Sequence, residues 1–367
     1  MIHKRRENKS DGAVSAGRNK NSLPKKWYTA LSGRMSIRTR LILSFAVPIA
    51  FIILLGVASF LKASSGIRNS YENSTAQTIS MTSRYLQLGI KSVEDISSQY
   101  LSDDSIQKYF SGYYMDNAVK TGENYQAINN SILSKKTTND FISDITILSD
   151  KVPSISTTKM KDGISCAQFY QTERGEAVNK ENKTVWVGAD DYLDGKLGDD
   201  GKIYSLRLIR KLPGTDAVII IDLDNSIVTD ILRGLDIDET GTVGLVTSDG
   251  KEILGGDDNS NEAIFADKQF YQTALLNEEI NGAGFVDDQG TKELFIYSKL
   301  GQTGAMLCAT IPKAVIYNQA DSIRDITIII VIIACIVAVL IAAVISTGMH
   351  KEISSIAAGL QKVSEGD

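Results

Sequence analysis

The chain has 367 residues with 39 basic and 44 acidic side chains, a formal net charge of −5 and 43% hydrophobic residues. This composition excludes an intrinsically disordered chain, a collagen-like repeat and a small disulfide-rich scaffold, and the length is enough for two domains of about 100–200 residues each. The totals resemble those of a soluble protein, but apolar and charged residues are unevenly distributed along the chain.

The N-terminal part combines a basic arm with an apolar segment. Residues 1–40 contain 11 Lys and Arg side chains against Glu7 and Asp11, and residues 41–61 are 21 residues without a charge. A helix needs about 20 apolar residues to cross a bilayer core, whereas a cleaved signal peptide usually has an apolar core of about 7–15 residues. We therefore expect a transmembrane helix over 41–61, with the basic arm held in the cytoplasm by the positive-inside rule. Tethering at a membrane argues against a nucleic-acid contact of this arm.

Residues 64–112 predict a long helix that continues from the first span. They lack proline, and apolar residues recur at helical intervals. We expect an interruption near Ser102-Asp103-Asp104 and another helix over 120–135.

From Phe141 the pattern changes to short strands separated by turns. The strand-like segments are ISDITILS, KTVWVG, IYSLRLI, AVIIID, GTVGLVT, KEIL, GAGFV, KELFIYS and AMLCATI. The strongest turn signals are Asp200-Gly201, Pro213-Gly214, Asp249-Gly250 and Gln289-Gly290.

Two helices interrupt these strands. One lies between Asp222 and Gly241, with Asp224 or Asn225 as its N-cap, and a shorter one covers 267–277. The order strand, helix, strands therefore occurs twice. It predicts an α+β region, 62–325, in which a distal lobe (about 115–222) and a proximal lobe (about 236–311) hang on one long helix.

A second apolar segment follows this region. Residues 326–349 are 24 residues without a charge and predict a transmembrane helix that returns the chain to the cytoplasm, leaving 62–325 outside. In residues 350–367, Ile353, Ile356, Leu360 and Val363 recur at a spacing typical of one coiled-coil seam.

Few residues suit catalysis or metal binding. His3 and His350 are the two histidines and both fall on the predicted cytoplasmic side, which excludes His-dependent nucleophiles and His-ligated zinc outside. Cys166 and Cys308 fall in different lobes, so no disulfide is expected. The acidic turn at 255–259 lacks the EF-hand pattern and is interpreted as solvated. We expect no enzymatic activity, metal or cofactor.

The arrangement resembles the double-Cache sensor of bacterial methyl-accepting chemotaxis proteins. The segments that carry the resemblance are SIRTRLILSF, AVIIIDLDNSIVTDIL, GTVGLVTSDGKEIL and ELFIYSKLGQTGAMLCATIPKAVI. Residues 351–367 are similar to the opening helix of a HAMP linker, including the closing Glu-Gly-Asp, although the proline often found early in that helix is missing. The resemblance covers most of residues 36–367. It implies a long N-terminal helix with two PAS-like lobes, flanking membrane spans and a homodimer.

Asp222 is the first candidate site residue. It ends the apolar run 217–221, which predicts a buried central strand, and a carboxylate buried there needs a cationic partner. In the family that the chain resembles, an Asp at the matching place grips the ammonium of an amino-acid ligand. The alternatives are an internal salt bridge or a helix cap, for which Asp224 is better placed.

The other candidates follow from the same resemblance. Tyr170, Arg174 and Trp186 resemble the family's Tyr, Arg and Trp ligand set, in which a guanidinium holds a carboxylate and aromatic rings enclose a cation. The family spaces Arg and Trp two apart, whereas they are twelve apart here. Arg174 could instead be a solvated surface residue, and Trp186 a core residue. Asp190, near Trp186 in the sequence, completes this group.

Strand alternation puts Tyr204 and Arg207 on opposite faces, so both can face one pocket only if a bulge intervenes. Tyr204 is chosen for the site. Three aromatic residues of the proximal lobe are expected in its core: Phe270, Tyr271 and Tyr297.

The expected function is the sensing part of a chemoreceptor. A small solute, an amino acid or organic acid, would bind the distal lobe directly or through a solute-binding protein, and the signal would reach cytoplasmic partners through the HAMP-like helix and an output domain. The input half of a sensor histidine kinase or diguanylate cyclase is the first alternative. A membrane-anchored ectoenzyme is disfavoured by the lack of external histidines, and an adhesive surface protein has no use for a HAMP-like segment.

Overall fold

The computed structural model describes residues 37–181, 183–197, 203–235, 237, 241–256 and 263–364. The chain divides into two compact units, Leu61–Arg324 and the pair of segments that flank it. The basic arm up to residue 36, the Asp200-Gly201 turn and most of the acidic turn at 255–259 lie outside the described residues.

The helices begin and end at defined residues. They are α1 (Ile37–Ser102), α2 (Asp104–Phe110), α3 (Ala118–Thr138), α4 (Cys166–Phe169), α5 (Glu173–Glu181), α6 (Asp191–Lys196), α7 (Asn225–Arg233), α8 (Gln269–Leu276) and α9 (Lys313–Ser364).

The strands of the described residues form two five-stranded antiparallel sheets. They are β1 (Ile142–Leu148), β2 (Ile155–Ser156), β3 (Val185–Val187), β4 (Tyr204–Lys211), β5 (Val218–Asp224), β6 (Thr242–Val246), β7 (Glu252–Leu254), β8 (Asn281–Asp288), β9 (Thr291–Lys299) and β10 (Met306–Pro312). The order is β2-β1-β5-β4-β3 in the distal lobe and β7-β6-β10-β9-β8 in the proximal lobe.

Helix α1 supplies one apolar face to both lobes. Its residues Ile79, Leu86 and Val93 are buried in a cluster that also contains Ile221 of the distal sheet and Leu307 of the proximal sheet. Burying apolar surface between a helix and the adjacent sheet faces is the main stabilising contribution here. The α+β fold with two lobes on one long helix is therefore confirmed.

Helix ends follow the capping residues of the sequence. Asp103 ends the long helix as expected and accepts the N–H groups of Ser105 and Ile106 at 2.8 and 3.2 Å, starting α2. Asp224 caps α7 in the same way. The short helices α4, α5 and α6 were not predicted, because each is too short for apolar residues to recur visibly at the helical spacing.

Among the described residues, two helical segments are long and apolar enough to cross a membrane, within Ala46–Ser102 and Arg324–Ile345. Their apolar side chains are exposed, for example Leu55 and Ile330. The segments approach each other at a small residue: a Cβ on Gly56 would come within 2.5 Å of the Val331 Cγ2. Small residues at such crossings are typical of helices packed in membranes.

Candidate ligand-binding site in the distal lobe

A β-bulge determines which side chains share the face of the distal sheet that points away from α1. The register of β4 with β5 shifts between Tyr204 and Leu206, so Ser205 is an extra residue. This shift brings Tyr204 to the same face as Arg207, whose guanidinium carbon lies 4.0 Å from the centre of the Tyr204 ring. The bulge that the alternation argument allowed as an exception is therefore present, and Arg207 shares a face with Tyr204, the residue chosen for the site.

A buried ion pair occupies this face. Arg207 and Asp222 are neighbours in register on β4 and β5, and the guanidinium donates to both carboxylate oxygens, at 2.6 Å from Nε and 2.8 Å from Nη2. The Arg207 residue is 1% exposed. Burial alone would lower the pKa of Arg207, but the charge and hydrogen bonds of Asp222 outweigh it and raise that pKa, so the guanidinium stays charged. Of the alternatives for Asp222, the internal salt bridge is the one formed.

Asp194, at the end of the first turn of α6, links this pair to its surroundings. It accepts hydrogen bonds from Arg207 Nη1 at 2.7 Å, the Tyr204 hydroxyl at 2.8 Å and the backbone N–H of Asp190 at 3.0 Å. Asp190 is the N-cap of α6 and is 5% exposed. Its burial raises its pKa, against the opposing effects of the Leu193 N–H and nearby guanidinium groups.

Arg174, on α5, lies at the edge of the same network. It donates to the Ala189 carbonyl and, at 2.9 Å, to Asp249 of the proximal lobe, and it lies 4.0 Å from Asp190. Asp249 also accepts the backbone N–H groups of Gly188 and Ala189. Arg174 is therefore not a solvated surface residue but joins the two lobes.

Lys251 is the second proximal-lobe residue in contact with the site. Its ammonium donates to the carbonyls of Gly188 and Tyr204 at 2.9 and 2.8 Å, and lies 4.5 Å from the centre of the Tyr204 ring. Burial lowers the pKa of Lys251, although the charge of Asp194 opposes this shift. The turn between β6 and β7 thus reaches into the distal lobe.

Four of the six predicted site residues meet here, and two do not. The four are Arg174, Asp190, Tyr204 and Asp222.

Trp186 lies on the other face of the sheet. It is opposite Leu208 in register, belongs to the cluster around α1, and donates from its indole N–H to Glu94 at 3.1 Å. Since neighbouring strand residues point to opposite faces, Trp186 cannot line one pocket with Arg207. Trp186 is therefore a core residue, which was the alternative to a ligand contact.

Tyr170 is far from Asp222 along the sheet. Its hydroxyl donates to the carbonyl of Asp216 at 3.0 Å, just before β5 begins, whereas Asp222 lies near the other end of that strand. At a rise of about 3.3 Å per residue, roughly 20 Å separates the backbones of Asp216 and Asp222.

Sequence reasoning missed Asp194 and set Arg207 aside. Arg207 did carry a signal, because a charged residue in the middle of the apolar strand IYSLRLI requires a partner as much as Asp222 does. Asp194 carried none, since it is one of several acidic residues in a short helix.

Comparison with solved structures identifies the fold of this region. The extracellular domain of the proposed histidine kinase rpHK1S-Z16 superposes with a TM-score of 0.51 at 12% identity, over 67% of this chain and 96% of that domain. The chain therefore shares the fold of this extracellular domain, which is the double-Cache fold expected from the sequence.

Other ligand-binding domains are similar to this chain with lower TM-scores. That of the Pseudomonas aeruginosa PAO1 amino acid chemoreceptor PctC, in complex with GABA, gives a TM-score of 0.44 at 13% identity over 66% of this chain and 99% of its own. The ligand-binding domain of the Pseudomonas fluorescens chemoreceptor CtaA, in complex with L-serine, gives a TM-score of 0.40 at 12% identity. The match covers 67% of this chain and 99% of that domain. No protein-family model and no curated protein sequence matches the chain.

Proposed function

We propose that the chain is the sensing and membrane part of a transmembrane receptor, and that a small extracellular solute binds the distal lobe beside Arg207. One observation carries this proposal. A guanidinium has five N–H donors, of which Arg207 uses three on Asp222 and Asp194. The other two have no hydrogen-bond partner among the residues that the structure describes. Because the Arg207 side chain is 1% exposed, a ligand carboxylate, which a guanidinium binds well, would reach them when the site opens.

The surrounding residues suit a solute that also carries an amine. Asp190 and Asp194 are acidic groups close to the guanidinium, and the ring of Tyr204 lies against both Arg207 and Lys251. Asp222 then acts on the ligand by orienting Arg207, and Arg174 closes the edge of the site. An amino acid satisfies both charges, and an organic acid satisfies Arg207 alone.

The contacts between the lobes offer a route for the signal. A ligand that shifts the segment 188–194 also shifts the partners of Asp249 and Lys251, and with them the turn between β6 and β7. Strand β6 pairs with β10, which ends at Pro312, and α9 begins at the next residue and contains the second apolar segment. A coupling of about 1–3 kcal/mol is enough for such a switch.

The remaining features support a chemoreceptor as the whole protein. The basic arm of residues 1–40 favours a cytoplasmic N-terminus, with 62–325 outside and the HAMP-like segment 350–367 in the cytoplasm, in a homodimer. A sensor histidine kinase would use the same input region. Labelling of intact cells that carry Glu123→Cys or Ser354→Cys with a membrane-impermeant maleimide tests the topology, since only Glu123→Cys should react.

The binding proposal is tested by calorimetry on the full chain in lipid nanodiscs. The panel contains amino acids, organic acids and purines, with Arg207→Lys and Asp194→Asn as site variants and Trp186→Phe as the control on the opposite face. A carboxylate-bearing compound should bind, with affinity reduced about tenfold or more in variants whose melting temperature shows that they fold, and unchanged in the control. The proposal fails if no compound binds, or if folded Arg207→Lys and Asp194→Asn bind as tightly as the unaltered chain.

A further inference from the structure

The proximal lobe contains a cleft that the distal site does not use. It has a volume of about 650 Å³ and lies between α8, β8 and β9. Pockets for small molecules usually measure about 300–1,000 Å³, so a compact solute fits.

Aromatic rings form the wall of this cleft. The rings of Phe270 and Phe295 are 4.7 Å apart and those of Phe295 and Tyr297 are 5.7 Å apart, and all three line the cleft. Asn277 donates to the Tyr297 hydroxyl at 3.1 Å and so fixes that ring. Of the three residues predicted in the core, Tyr271 and Tyr297 are buried, and Phe270 is half-buried because it faces this space.

The charged groups at the cleft are mainly acidic. Glu279, Asp287 and Asp288 line it together with a single cation, Lys268. Lys268 is already bonded to both oxygens of Asp288, at 2.8 and 2.9 Å. Within the described part of the chain, the Glu279 side chain has neither an ion-pair nor a hydrogen-bond partner. The side chains that line the cleft therefore carry an excess of negative charge. Two further cations lie nearby: Lys299 donates to the Asn277 carbonyl, and the Lys313 ammonium lies 6.0 Å from the centre of the Phe285 ring.

The floor is open because of two glycines on β8. Gly282 lies opposite Tyr297 in register, and a Cβ there would overlap the Tyr297 ring. Gly284 lies opposite Phe295, and a Cβ there would meet nothing within 4 Å. Since paired residues of antiparallel strands point to the same face, the empty space above Gly284 is the cleft itself.

We propose that this cleft binds a small organic cation, such as a quaternary ammonium compound. The faces of aromatic rings attract cations, and a quaternary ammonium group is recognised in this way by clusters of rings. Glu279 supplies the counter-charge, while Phe270, Phe295 and Tyr297 enclose the alkyl groups. The double-Cache region would then have two sites of different chemistry, a guanidinium-based one in the distal lobe and an aromatic one in the proximal lobe.

Choline and its uncharged isostere 3,3-dimethylbutan-1-ol are suitable probes for calorimetry on the full chain in nanodiscs. Choline should bind saturably at one site per chain, and the isostere about tenfold more weakly or not at all. Gly284→Leu should abolish choline binding by filling the cleft, and Glu279→Gln should weaken it several-fold. Gly122→Leu is the matched control, because Gly122 lies in α3 of the distal lobe and a Cβ there also meets nothing within 4 Å.

A melting temperature close to that of the unaltered chain would show that Gly284→Leu is folded. If Gly284→Leu does not fold, Glu279→Gln provides the test. The proposal is overturned if choline does not bind, if the isostere binds equally well, or if folded Gly284→Leu and Glu279→Gln leave choline affinity unchanged. Arg207→Lys separates the two sites. It should leave choline binding intact, and loss of choline binding in a folded Arg207→Lys chain would assign the cation to the distal lobe instead.

Discussion

Ser143 and Ser205 occupy equivalent positions on the two strands that flank β5. Each is the extra residue of a β-bulge, and each hydroxyl donates to a β5 carbonyl at 3.3 Å, Ser143 to that of Asp222 and Ser205 to that of Leu223. Both serines are buried. Bulges redirect the side chains next to them, and here the two together gather the charged and aromatic groups around Asp222 on one face of the sheet.

The buried ion pair makes the first prediction. Replacing Arg207 by Met leaves the Asp222 carboxylate buried without its partner, and should lower the free energy of unfolding by about 3–5 kcal/mol. The double variant Arg207→Met with Asp222→Leu should recover more than half of this loss, because it removes both charges. The double-mutant cycle compares the unaltered chain, Arg207→Met, Asp222→Leu and the double variant. Urea unfolding followed by Trp186 fluorescence, in a Trp27→Phe background, measures the free energy of unfolding of each. Equal losses in the single and the double variants would contradict this view of the pair.

The elements of the fold could be read from the sequence because their signals are local. Asp103 and Asp224 are recognisable caps, and the strands lie between recognisable turns. The site depended instead on register. Nothing near Ser205 indicates a bulge, so period-two alternation separated Tyr204 from Arg207 and could not show which face holds Trp186.

Trp186 makes the second prediction. Trp186→Phe removes the hydrogen bond to Glu94 and some buried area facing α1, so the free energy of unfolding should fall by about 1–2 kcal/mol. Ligand affinity should not change, because the distal site lies on the opposite face. Thermal unfolding by circular dichroism and calorimetry on the same preparation measure the two quantities. Weakened ligand binding by a folded Trp186→Phe chain would instead indicate that Trp186 lines the binding pocket.

The thiols of Cys166 and Cys308 make the third prediction. Cys166 and Cys308 are free and buried, and burial is the largest effect raising the pKa of each thiol. Since the thiolate is the reactive form, both should react with a thiol reagent such as DTNB only after unfolding in urea. Glu123→Cys, at an exposed position of α3, provides a control that reacts at once. Rapid labelling of Cys166 or Cys308 in the folded chain would show that these cores open readily.

Asp249 makes the last prediction, which concerns pH. Burial alone would raise its pKa, but hydrogen bonds from Thr247, Ala189 and Gly188 and the pairing with Arg174 outweigh this and hold the pKa below its ordinary value of 3.8. The folded state therefore binds this proton less readily than the unfolded state. The stabilisation by the charged carboxylate is complete above the unfolded value and is lost as the pH falls through the lower, folded value.

Asp249→Asn should accordingly lower the free energy of unfolding by about 2 kcal/mol near neutral pH, since hydrogen bonds to a charged group contribute about 1.5–3 kcal/mol. The difference from the unaltered chain should shrink below about pH 4. Urea unfolding at a series of pH values measures it, and Asp104→Asn is the control because the Asp104 side chain is 76% exposed and its ion pair with Lys108 contributes little. A difference that stays constant down to about pH 3 would mean that the carboxylate charge of Asp249 does not hold the two lobes together.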